Sequence, residues 1–137
     1  MIKVIVAGAA GKMGRTVCQA VAAEPDLELA GGFDVLVSAL ETVPELKAKS
    51  KAASLSELLK EVKADVLVDF TRADAVLNNV KVATEAGLHA VIGTTGLSGV
   101  EIDQLIELTK KTKRNILLAP NFAIGAVLMM KLAAKVA

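Results

Sequence analysis

Residues 4–15, VIVAGAAGKMGR, constrain this chain more than any other stretch, because a short apolar strand runs into Gly8, Gly11 and Gly14 and a helix follows at once. Asp34 stands twenty residues beyond Gly14, at the end of a second apolar run. A dinucleotide needs this arrangement of tight turn, helix N-terminus and acidic acceptor. Gly8 and Gly11 leave out side chains where the backbone turns and approaches a pyrophosphate, and Gly14 lets the helix pack close to the strand. The unpaired N–H groups of the helix's first turn face the phosphates. The spacing is GxxGxxG and not the commoner GxGxxG, so the glycines say less alone than in their context. A glycine-rich turn with no ligand is the competing reading. Strand, helix and acidic residue standing in register argue against it.

With 137 residues the chain is one domain long, enough for a single core and short for an enzyme that needs a separate substrate domain. Hydrophobic residues at 53% and charged residues at 23% indicate a globular chain and not a disordered one. A net charge of +1 gives no field to recruit nucleic acid or an anionic membrane. With no Trp or Tyr, base-stacking platforms are missing too, so no nucleic-acid partner is expected. Cys18 is the only cysteine, which rules out an internal disulfide and suits a reduced, cytoplasmic setting. On the first helix it reads as a small buried filler, not a nucleophile. The N-terminus enters a strand without a signal peptide's pattern, and no apolar run reaches the roughly 20 residues that span a bilayer, so no membrane partner is expected either.

Short β-rich apolar runs alternate with amphipathic helices, which predicts an α/β fold: a Rossmann-type, doubly wound parallel sheet in a single domain. Strands are expected near 3–7, 27–33, 65–70, 89–93 and 115–119, with a short one near 51–53. The first helix carries Met13, Val17, Ala20 and Val21 on one face and stops before Pro25. Three later helices open with capping signatures, Ser54 with Glu57, Thr71 with Asp74 and Ser98 with Glu101. Gly87 falls where a helix ending at Ala86 needs a left-handed cap. Residues 35–52 hold Pro44 and many charges without a clear period, and read as a loop with a helical turn.

In an open doubly wound sheet the ligand lies at the carboxyl ends of the strands. Here those ends read Gly8 to Gly14, Asp34, Asp69-Phe70-Thr71, Gly93-Thr94-Thr95-Gly96 and Ala119-Pro120-Asn121-Phe122. Small and hydrogen-bonding groups converge there beyond what strand-ending turns require.

Together VAGAAGKMGR, VDFT, VIGTTGLS and APNFAIGAVLMMKLA resemble the amino-terminal half of the dihydrodipicolinate reductase family, nicotinamide-dependent enzymes of lysine (diaminopimelate) biosynthesis. The likeness runs in order from Met1 to nearly the last residue, and GTTG followed by PNF is far more specific than the glycines. It implies that Gly8, Ala9, Ala10, Gly11, Lys12 and Met13 hold the pyrophosphate and Asp34 the adenosine ribose. It implies that Gly93, Thr94 and Thr95 line the nicotinamide side, with Thr95 also near the substrate, while Phe70 and Ala119, Pro120, Asn121 and Phe122 complete the cofactor site. The cofactor implied is NADH in preference to NADPH. An Asp ending the second strand accepts both ribose hydroxyls and repels a 2′-phosphate, and Val35 stands where family members using both cofactors often have arginine. Lys12 remains within reach of a phosphate. Ala123 replaces the serine usual after Asn-Phe.

The resemblance further implies that residues 1–124 form the dinucleotide-binding domain and that the helix over 125–137 leads to a substrate domain. There the family carries a paired-histidine motif, a lysine and a PSGT segment. No catalytic residue is therefore expected within this chain, which should bind cofactor without turning over. His89, the only histidine, begins a strand on the side of the sheet away from the cofactor. Asp69 reads mainly as a fold residue beside a helix N-terminus, and Met129 and Met130 as packing residues. No metal site is expected, because no cluster has ligand spacing. The last helix is apolar except for Lys131 and Lys135, so self-association into a homo-oligomer is expected. A stand-alone nucleotide sensor and an interaction module without catalysis remain the alternative functions.

Overall fold

The computed structural model describes residues 1–119 and 121–136. Its core is β1 (Ile2–Ala7), whose β-branched run alternates between two faces. Val4 and Val6 point to one side, where helix α1 (Lys12–Ala23) brings Cys18 and Val21. Ile5 and Ala7 point to the other, against Leu55 and Leu58 of α3 (Leu55–Leu58) and Ala83 of α4 (Ala73–Glu85). A strand covered on both faces belongs in the middle of a parallel sheet.

The sheet is six-stranded and entirely parallel, in the order β3-β2-β1-β4-β5-β6. Around β1 lie β2 (Leu27–Phe33), β3 (Ser50–Ala52), β4 (Val66–Asp69), β5 (His89–Ile92) and β6 (Ile116–Leu118). The order reverses between β1 and β4, which opens a crevice at their carboxyl ends. This is the expected single-domain, Rossmann-type doubly wound fold.

Two rows of side chains crossing the sheet in register differ in cover. Ile5, Leu67, Ala90 and Ile116 face α3, α4 and α5 (Gly99–Thr112), and all but Ile116 are buried. Val6, Val68, Val91 and Leu117 face the side of α1. Exposure rises along that row from 0% at Val6 to 57% at Leu117. Helix α6 (Ile124–Val136) does not close this face: Ile124 is 86% and Met129 67% exposed.

Several local expectations hold. The Ser54 hydroxyl accepts from the Glu57 amide, and Ser98 with Glu101 forms a full capping box on α5. The Ser98 hydroxyl and amide both bond the Glu101 carboxylate and hold its pKa below the ordinary value. Gly87 has φ +91°, the left-handed conformation after Ala86. Others are corrected. The cap of α4 is Arg72, without a side-chain bond, because the Thr71 hydroxyl donates instead to Asp69 and Asp74 pairs with Arg72. Met13 and Ala20 of α1 are exposed. The buried line is Gly14, Cys18 and Val21, set by the seating of Gly14 on the glycine turn. The short strand expected near 51–53 is present as β3, but residues 35–49 are more than a loop with a helical turn: α2 (Val37–Leu40) and a 3-10 turn (Pro44–Leu46) put Leu40, Val43 and Leu46 into the core.

Candidate functional site

The β1–α1 turn shows why its glycines are needed. Gly8 has φ +70°, and a Cβ there would lie 2.6 Å from the Phe70 carbonyl oxygen. A Cβ on Gly14 would drive into the Gly8 carbonyl and stand 2.7 Å from the Ala9 Cα, so only glycine lets α1 rest on the turn. The amides of Gly8 and Ala9 donate to the Phe33 carbonyl at 3.0 and 3.3 Å, and that of Gly11 to Gly8 at 3.0 Å. Gly11 is the N-cap of α1 and offers no side-chain cap. The amides of Lys12, Met13 and Gly14 therefore have no intrahelical acceptor and point out of the helix end, where an anion would be held. Lys12 and Met13 have exposed side chains; that of Ala9 is buried.

Asp34, half-buried beyond β2, faces this turn. Its Oδ2 accepts from the Ala10 amide and its Oδ1 from the Leu36 amide, both at 3.2 Å. Both bonds orient the carboxylate and leave lone pairs for further donors. Asp34 borders a cleft of about 290 Å³ that also takes in Gly8, Gly11, Phe70, Arg72 and Ala75. The structure thus brings the glycine turn, the acidic residue and Phe70 to one opening.

Asp69, at the end of β4, is fully buried. It accepts from the Thr71 amide at 2.9 Å, the Thr71 hydroxyl at 2.6 Å, Asn79 Nδ2 at 2.9 Å and the Thr94 hydroxyl at 3.0 Å. Four donors satisfy a buried anion that would otherwise be costly. They also tie the loop after β5 to α4. The Thr94 hydroxyl is spent in this network, while Thr95 is exposed. Gly93 makes room for the Phe70 ring, since a Cβ there would overlap it. Phe70 in turn meets Phe122 with ring centroids 5.5 Å apart, tilted at 52°. Ala119 donates to the Ile92 carbonyl at 3.0 Å, and Asn121 Oδ1 accepts from the Ala123 amide at 2.8 Å. Pro120, expected at the cofactor, lies outside the described residues.

His89 starts β5, at the end of the strand away from the cleft, and its Nδ1 accepts from the Asn115 amide at 2.9 Å. Cys18 is fully buried. Burial, reinforced by the Glu45 carboxylate, pushes its thiol up to about 11. Among the described residues no three His, Cys, Asp or Glu side chains are grouped to hold a metal, and no helix is long and apolar enough to cross a membrane.

Sequence reasoning did not single out Arg72 or Ala75 for the cleft, nor Arg15 behind it. Arg72 and Ala75 arrive from the start of α4, which follows β4, a strand far from β1 in sequence but paired with it in the sheet. Arg15 joins the glycine turn to Thr42, 27 residues on.

Comparison with known proteins agrees with this layout. Residues 2–122 match the family model described as dihydrodipicolinate reductase, N-terminus. The chain is 44% identical over 140 residues to the 4-hydroxy-tetrahydrodipicolinate reductase of Syntrophomonas wolfei, covering 98% of this chain and 52% of that protein. It is 41% identical to that of Listeria welshimeri, covering 99% and 53%. The chain thus spans about half the length of these curated relatives. Among solved structures, the dipicolinate-bound dihydrodipicolinate reductase from Paenisporosarcina sp. TG-14 superposes with a TM-score of 0.83 at 33% identity, over 97% of this chain and 52% of that one. The WlbA dehydrogenase from Bordetella pertussis, in complex with NADH and UDP-GlcNAcA, shares the fold with a TM-score of 0.77 at 20% identity, over 86% and 34%. Built on a glycine turn, an oriented Asp34 and the GTT and NF loops along one sheet edge, the chain belongs to the dihydrodipicolinate reductase family and corresponds to its amino-terminal, nucleotide-binding domain.

Proposed function

We propose that this chain binds NADH in preference to NADPH along the carboxyl edge of its sheet, as the cofactor half of a reductase acting on a cyclic dihydrodipicolinate-type substrate. The observation that carries the reading is one opening in which the uncapped first turn of α1 stands beside the Asp34 carboxylate. In this reading Gly8, Ala9, Ala10, Gly11, Lys12 and Met13 receive the pyrophosphate through the turn's backbone and the α1 amides. Asp34 accepts the ribose hydroxyls, and its charge disfavours a 2′-phosphate. Val35, 92% exposed, adds no compensating cation beside it. The nicotinamide half extends past Phe70 toward Gly93, Thr94 and Thr95, with Ala119, Pro120, Asn121 and Phe122 as the other wall and Thr95 meeting the substrate. When bound, the nicotinamide supplies the hydride, and the chain's own residues bind and orient it.

We assign no catalytic residue to this chain. Residues 1–124 act as the dinucleotide-binding domain, and 125–137 as the helix that leads to a substrate domain in the longer protein. The exposed apolar surface of α6 is covered by self-association. The test is calorimetric titration of the chain with NADH and NADPH. The reading requires heat from NADH at up to millimolar concentration and weaker binding of NADPH. No heat from either cofactor would remove it.

A further inference from the structure

Arg15 reaches from α1 across the back of the glycine turn. Its Nε donates to the Ala10 carbonyl at 2.9 Å, its Nη1 to the Thr42 carbonyl at 2.9 Å and its Nη2 to the Thr42 hydroxyl at 2.5 Å. The Thr42 hydroxyl in turn donates to the Ala39 carbonyl at 2.7 Å. On the other side of the same turn, the Ala10 amide donates to Asp34, which also accepts from Leu36. A ring of bonds therefore runs from Asp34 through residues 36–42 to Arg15, on to Ala10 and back to Asp34. Ala10 is gripped at both its polar atoms, the N–H by an anion and the C=O by a cation.

Three of the five guanidinium donors are spent on this grip, and all three aim at protein oxygens and not at the opening. A carbonyl and a hydroxyl from one residue, met by two nitrogens of one planar fork, form a geometry that a lysine ammonium does not reproduce. Fixing the turn in advance matters because an anion at a helix end is held by several amides at once, and each loses strength with small misplacement.

We propose that Arg15 is a positioning residue that preorganises the phosphate-facing turn, with Thr42 as its anchor. It acts through the Ala10 peptide and does not touch the cofactor. This rests on the cofactor reading above.

The experiment compares ADP-ribose with adenosine, the second lacking the pyrophosphate, by ligand-observed NMR and calorimetry on the wild-type chain and on Arg15→Gln, Arg15→Lys and Thr42→Val. Folding of each variant is checked by circular dichroism. Arg15→Gln is expected to weaken ADP-ribose about tenfold, as loss of charge-assisted bonds would, and to change adenosine less than about twofold. Arg15→Lys should stay nearly as weak as Arg15→Gln, and Thr42→Val should lose affinity in the same sense although it carries no charge. If Arg15→Gln does not fold, Thr42→Val carries the test. Wild-type affinity in Arg15→Lys would show a charge effect and overturn the positioning role. So would equal losses for both ligands, which a general structural defect produces. Failure of the wild-type chain to bind ADP-ribose removes the cofactor reading and this inference together. Binding by the wild type with unaltered variants removes the inference alone.

Discussion

In the proposed reading, Asp34 is the residue on which cofactor choice turns. Its two oxygens already accept from Ala10 and Leu36, so the carboxylate would meet a ribose in a fixed orientation at no further ordering cost. Asp34→Ala should weaken NADH by about 1.5–3 kcal/mol, the size of lost charge-assisted bonds. NADPH should lose less, since repulsion of its 2′-phosphate goes too. Calorimetry on the variant decides, and unchanged NADH affinity would remove Asp34 from the ribose. Cys18 gives a prediction of another kind. Its thiol is raised from 9.0 to about 11, so the folded chain favours the protonated form. The unfolded chain ionises first as pH rises. The stabilisation is thus complete below 9.0 and is lost as pH climbs through about 11, on the order of 3 kcal/mol. Thermal melts across that interval should fall more steeply for the wild type than for Cys18→Ala. Parallel slopes would contradict the buried thiol's role. Gly8 was legible in the sequence because its backbone geometry leaves little choice of residue, and so was the place of Asp34 at the end of β2 beside the glycine turn. Arg15 was not, since its partner Thr42 comes close only through tertiary structure.

Among the elements, β1, β2 and α1 were readable from alternation and glycine placement, and α5 from its capping box. The segment over 35–52 was legible only at its end, where the short strand expected near 51–53 is β3; α2 and the 3-10 turn have four and three residues, too short for a period to register. The misplaced start of α4 has a specific cause. A buried Asp69 competes for the Thr71 hydroxyl and takes it from the helix end. The rotation of α1 likewise escaped prediction, because contact of Gly14 with the Gly8 carbonyl, and not hydrophobicity alone, decides which line is buried. Helix α6 and the Val91–Leu117 side of the sheet carry the apolar surface that most needs a cover. Self-association through Val127, Leu128 and Met130 predicts a dimer or larger assembly in light scattering. Replacing Leu128 and Met130 by Glu should shift it to monomer. A monodisperse wild-type monomer with α6 helical would contradict this assignment.

At the scale of the molecule, the reversal of strand order between β1 and β4 places the described candidate residues, from Gly8 to Phe122, along one edge, while His89 falls at the opposite end of its strand. Resemblance supplies the expected roles of the nicotinamide-side loops, and the fold accounts for their convergence. It also exposes an alternative place for a ligand, the groove between α4 and α5 lined by Leu77, Val100, Gln104 and Leu108. The most direct test of the account is an amide chemical-shift map of the isotopically labelled chain during titration with NADH. The account predicts saturable shifts at Gly8, Gly11, Lys12, Met13 and Leu36, extending to Gly93 and Thr95, with the α4–α5 groove silent. Shifts confined to that groove, or none along the carboxyl edge, would contradict it.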